Sequence, residues 1–79
     1  MTPAQSRAAR ALLEMNQSTL ARNAGLGLST IVDFERGRRL VSEDAMLAIK
    51  AALERAGIKF IDENGGGLGV RFRKPGKQK

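Results

Sequence analysis

The chain contains no cysteine and no histidine. Without cysteine there is neither a disulfide framework nor a thiolate zinc site. Without histidine the commonest general base and the commonest metal ligand are missing. Ser18, Ser29 and Ser42 therefore have no imidazole to activate them. Glu43 and Asp44 read as acids at a helix N-terminus rather than as a catalytic pair. The "GGG" at residues 65–67 lacks the Lys-Ser/Thr pair and the following helix that a phosphate loop requires. No enzymatic activity, no metal and no cofactor are expected. No uncharged run approaches the length of a membrane span, and "MTPAQSRAARALL" lacks the charged start and long apolar core of a signal peptide. No membrane association is expected, and the expected compartment is the cytoplasm, most simply of a bacterium.

What the chain has in excess is positive charge. Fourteen Lys and Arg against eight Asp and Glu give a net charge of +6 and a pI near 10.9 over 79 residues. A basic balance of this size calls for a polyanionic partner without saying which. The length allows one domain, and such a chain buries only about 60% of the surface its unfolded form exposes. A core shared between two copies would help.

Local signals divide the chain into four helical phrases and two strand-like ones. Thr2, Pro3 and Gln5 form a capping box with proline at the first helical position. On the helix that follows, Ala8, Leu12 and Met15 share one face with Ala9 and Leu13, while Gln5, Arg7 and Glu14 are expected to face water. Asn16 caps a second helix that begins at Gln17, carries Leu20, Ala21 and Ala24 inward, and stops at Gly25. Leu26 plugs the turn. A third helix runs from about Leu28 to Arg36 with Ile31 and Phe34 inward, and Gly37 closes it. Ser42 caps a fourth, about Glu43 to Ala56, with Met46, Ile49 and Leu53 as its buried stripe and Gly57 beyond its end. "IKFI" and "VRFR" then alternate with the period of half-buried strands around the loop "DENGGGLG". The expected fold is mainly α: a four-helix unit over residues 1–57, a β-hairpin or strand pair over 58–73, and a flexible basic tail over 74–79.

The second and third helices are joined by a very short turn, and three arginines, Arg36, Arg38 and Arg39, crowd the four positions after them. Such a turn needs a small residue where the helices meet, a left-handed residue in the bend and apolar inner faces. Ala21, Gly25 and the set Leu20, Ala24, Leu26, Ile31 and Phe34 provide them. A helix-turn-helix uses this geometry to lay one helix across the DNA backbone and project the next into the major groove. If Ile31 and Phe34 point inward, then Leu28, Ser29, Val32 and Asp33 point outward as candidate base-reading residues. Leu28 and Val32 suit thymine methyl groups, Ser29 most base edges, and Asp33 a cytosine amino group.

Residues 5–56, about two-thirds of the chain, resemble the phage-repressor type of helix-turn-helix known as the XRE family. The resemblance rests on "Q-x-x-LA-x-x-x-G", on Ile31 and on "FERGRR". It implies double-stranded DNA as partner. It also implies phosphate contacts from Asn16, Gln17, Arg36, Arg38 and Arg39, with Gln17 helping to orient the recognition helix. An ion pair between Arg10 and Glu35 beneath that helix is implied too. The sequence departs from the family in Gly27, where Ser or Thr is usual, and in Leu40-Val41, where a polar residue and proline are usual.

Two roles fit: a small transcriptional regulator, read as a repressor acting by operator occupancy, or an antitoxin that binds a toxin protein as well as its own promoter. Either role suits a homodimer, because two-fold proteins match paired half-sites. Ile58, Phe60, Val70 and Phe72 are the expected dimerisation residues, through strands paired between chains. The competing arrangement is a hairpin folded back on its own helices, with dimerisation through the fourth helix.

Overall fold

A computed structural model of the chain describes residues 1–38 and 40–74. Arg39 and most of the expected basic tail, residues 75–79, lie outside the described residues. The elements are α1 (Pro3–Leu13), α2 (Gln17–Ala24), α3 (Leu28–Glu35), α4 (Glu43–Arg55), β1 (Ile58–Ile61) and β2 (Gly69–Phe72). The fold is that of four helices followed by an antiparallel hairpin.

The helix boundaries follow from their caps. Thr2 and Gln5 form the reciprocal capping box: Thr2 Oγ1 accepts from the Gln5 N–H at 3.1 Å, and Gln5 Oε1 accepts from the Thr2 N–H at 2.9 Å. Asn16 Oδ1 accepts from the Thr19 N–H at 2.8 Å, and Ser42 Oγ from the Ala45 N–H at 3.0 Å. Gly25 ends α2 at φ +70°, a left-handed conformation that glycine adopts without steric cost. Gly27 precedes α3 with no side-chain cap.

The core joins all four helices to the hairpin. Ala9, Leu20, Ala21, Ile31, Phe34, Ile49, Ala52, Leu53, Ile58 and Phe60 are buried together. On α4 the inward stripe is Ile49, Ala52 and Leu53 with Met46 packed beside it, while Ala56 is exposed. α1 is rotated relative to the expected face. Gln5, Ser6 and Ala9 are buried, Leu13 and Met15 pack at the margin, and Ala8 and Leu12 are exposed. The cause is polar: α1 turns Gln5 toward the hairpin and Ser6 toward Glu35. Gln5 Nε2 donates to the Gly69 carbonyl at 2.9 Å and the Ile61 carbonyl at 3.4 Å, which pins the loop end of the hairpin to the start of α1.

The strands pair within the chain, Ile58 opposite Phe72, Lys59 opposite Arg71, Phe60 opposite Val70 and Ile61 opposite Gly69. Ile58 and Phe60, expected at a contact between copies, belong to the inner strand of this hairpin. Both lie in the chain's own core, at 0% and 9% exposure, and a side chain enclosed by its own chain has no surface left for another. Val70 and Phe72, on the other strand, are only half-buried.

Candidate nucleic-acid interface

α2 and α3 pack against each other across Gly25–Gly27, with Leu20, Ala21, Ile31 and Phe34 closing the inner side. The outer side of α3 then carries Leu28 and Ser29, both exposed, and Val32 and Asp33, both half-buried. All four candidate base-reading residues therefore share the face turned away from the core. Arg36 and Arg38 are exposed where the chain leaves α3, and Arg38 Nη1 lies 4.0 Å from Asp33 Oδ1. Arg39, the remaining arginine of the cluster, lies outside the described residues. Asn16 is exposed at the start of α2, its side chain engaged in the cap.

Beneath α3 sits a buried carboxylate. Glu35 is 2% exposed and accepts from Arg10 Nε at 3.0 and 3.1 Å to its two oxygens, and from Arg10 Nη2 at 2.7 Å. The ion pair implied by the family resemblance is thus formed, with Arg10 largely covered. The same carboxylate also accepts from Ser6 Oγ and, at 3.0 Å, from Gln17 Nε2. Arg7 donates to the Glu35 backbone carbonyl, and Arg10 Nη1 to the Met15 carbonyl at 3.1 Å. Burial by itself pushes the Glu35 pKa up. The hydrogen bonds from Arg10, Ser6 and Gln17 and the Arg10 charge outweigh burial and hold it below the ordinary carboxylate value.

This hub ties α1, the first residue of α2 and the last residue of α3 to one point. It fixes how α3 projects. Gln17 contributes to it directly, and an amide nitrogen carries two hydrogens, so one bond to Glu35 leaves a donor for a phosphate. Ser6 and Arg7 were not legible as members. Ser6 does precede Arg10 by four residues and so shares its helix face, the one local sign of its role.

A short turn, a recognition helix with an outward polar and apolar mixture, and cations at its exit define a helix-turn-helix DNA-binding domain. A helix-turn-helix family model matches residues 7–58, more than half of the chain, and the protein belongs to the XRE family of helix-turn-helix regulators. It is accordingly a sequence-specific double-stranded DNA-binding protein of the transcription-regulator class. No curated protein sequence matches the chain. No helix of the described residues is long and apolar enough to cross a membrane.

Proposed function

We propose that the protein is a repressor that acts by occupying its operator, bound as a homodimer to two half-sites. The supporting observation is the arrangement around α3: Leu28, Ser29, Val32 and Asp33 share its outward face, Asn16 and Gln17 lie at the start of α2, and Arg36 and Arg38 lie at the exit of α3. In this reading the outward residues touch base edges, while Asn16, Gln17, Arg36, Arg38 and Arg39 contact phosphates. Arg38 neighbours Asp33 in the free protein. On DNA it turns to the backbone, and Asp33 is left to accept from a cytosine amino group. Residues 1–57 supply the DNA-binding unit and the hairpin supplies the contact between copies. Two half-sites about one helical turn apart then match a two-fold protein.

The test begins with selection of bound DNA from a random pool, with the protein alone. The selected site is placed over a reporter promoter, where expression of the protein should lower output. A rise in output would overturn repression. Affinity is then measured against salt. Each phosphate neutralised contributes about −0.9 to the slope of log affinity against log salt, so Arg38→Ala should flatten the slope by about that amount and weaken all sequences alike. An unchanged slope would remove Arg38 from the phosphate contacts. Ser29→Ala should instead relax preference at one base pair per half-site and leave the slope as it was. Loss of discrimination spread over the whole site would contradict that role.

A further inference from the structure

The hairpin has one open edge beside an apolar stripe. Arg73 donates its backbone N–H to the Gly57 carbonyl at 2.8 Å, opposite it in the ladder. Hydrogen-bonded pairs alternate with non-bonded ones in an antiparallel ladder, so Val70 and Phe72 turn their backbone groups away from β1. On that edge the Phe72 carbonyl accepts from Arg71 Nη1 at 2.9 Å, while the N–H groups of Val70 and Phe72 meet no partner among the described residues. Leu68, Val70 and Phe72 follow one another on the same side of the strand, with Leu68 51% exposed. Leu68 and Val70 line one cavity with Ala4 and Ala8 of α1, and Phe72 lines another with Leu12; Ala4, Ala8 and Leu12 form one helical row, of which Leu12 is 40% exposed. An unpaired edge next to an exposed apolar row is a template for another strand.

We propose that a second copy of this chain docks on this edge, β2 antiparallel to β2 about a two-fold axis, with Val70 opposite the partner's Val70. The proposal rests on the homodimer of the preceding section and names its interface. Charge selects the occupant and excludes the registers centred on Arg71 and Phe72. The hairpin is acidic at its tip, where Asp62 and Glu63 are exposed, and basic at its foot, where Arg71 and Arg73 are exposed. Antiparallel apposition of two copies sets each foot against the other's tip. Only registers that put Val70 and Phe72 opposite outward-turned residues can form the ladder. Centring on Arg71 sets two arginines face to face, and centring on Phe72 sets Arg71 against the partner's Arg73. Like charges directly opposite are destabilising. Centring on Val70 instead puts Arg71 opposite the partner's Gly69 and Phe72 opposite the partner's Leu68. It also brings Arg73 opposite the partner's Gly67, whose N–H donates to a Glu63 carboxylate at 3.1 Å in each chain. The result is a four-stranded sheet with Leu68, Val70 and Phe72 of both copies lying over the two α1 stripes.

The 79-residue chain, which has no cysteine of its own, carries single Val70→Cys, Arg71→Cys or Leu47→Cys substitutions and is oxidised at equal concentration. Hydrogen-bonded residues of an antiparallel pair lie about 5.5 Å apart at Cα, within disulfide reach. Val70→Cys should cross-link at least about tenfold faster than Arg71→Cys or the α4 control Leu47→Cys, since only position 70 meets its own copy. Faster linkage at Arg71 overturns the register, and linkage at Leu47 matching Val70 overturns the interface. Independently, Leu68→Asp should raise the dimer dissociation constant at least about tenfold by sedimentation, because it sets a carboxylate against apolar surface. It should keep its far-ultraviolet helical signal and its binding to a single half-site. An unchanged dissociation constant overturns the proposal. If Val70→Cys cross-links as expected while no DNA is bound by any variant, the interface stands and the operator reading fails.

Discussion

Glu35→Ala is expected to destabilise the domain by about 3–5 kcal/mol, because it orphans a largely buried Arg10. At about 4–8 °C per kcal/mol for a domain of this size, the melting temperature should fall by more than about ten degrees. Glu54→Ala, an exposed glutamate on α4, should stay within about 0.5 kcal/mol of the parent, as surface substitutions usually do. Equal melting temperatures for the two variants would show that the hub does not hold the fold. The intact pair contributes little net stability, since desolvation of both ions offsets their attraction. Removal of one partner is what is expensive. The held-down Glu35 pKa adds an acid signature. A carboxyl that is more acidic in the folded than in the unfolded state leaves the unfolded chain binding more protons between the two values. Its stabilisation is present above the ordinary carboxylate value and is lost as pH falls through the lower, folded-state value. Stability should therefore fall more steeply with acid in the parent than in Glu35→Gln. Parallel curves would mean that Glu35 titrates as an exposed carboxyl does.

The helices were legible because their signals are local. Asn16, Ser42, Gly25 and the Thr2–Gln5 box each act within four residues of the boundary they set, and each does so in the structure. The outward set on α3 was legible for a similar reason, since Ile31 and Phe34 fix the helix's phase. The face of α1 was not. The sequence marks Gln5 as a cap through its side-chain oxygen, yet its amide nitrogen bonds Ile61 and Gly69, 56 and 64 residues away. Apolar periodicity counted Ala8 and Leu12 as inward and had no means of ranking Gln5 and Ser6 above them. The hub shows the same limit. The resemblance implied Arg10 with Glu35, but Ser6, Arg7 and Gln17 converge on that residue only once α1, α2 and α3 are packed. The strands were legible by alternation, whereas their docking onto the helices depends on the depth of the core, which alternation does not report.

That docking makes a chain ending at Gly57 a poor stand-in for a monomeric DNA-binding unit. Truncation there is expected to abolish cooperative folding rather than merely release a dimer. Ile58 and Phe60 are 0% and 9% exposed and sit among Ile49, Leu53 and Ala9. Full burial of each such side chain is worth about 1.5–3 kcal/mol. Their loss together removes about 3–6 kcal/mol before the bonds from Gln5 to the hairpin are counted. A domain near 80 residues has only about 4–12 kcal/mol in total. The measurement is thermal and urea unfolding of the 1–57 fragment beside the full chain, with Ile58→Ala as an intermediate. Ile58→Ala should cost about 2–5 kcal/mol through lost burial and the cavity left behind, and it should lower the urea midpoint while leaving the slope unchanged. The fragment should lack a sigmoidal transition and bind a half-site at least about tenfold more weakly, since binding must then also supply the cost of ordering the helices. A fragment that melts cooperatively within about five degrees of the full chain would mean that the hairpin is an appendage, and that the four helices close their core without it.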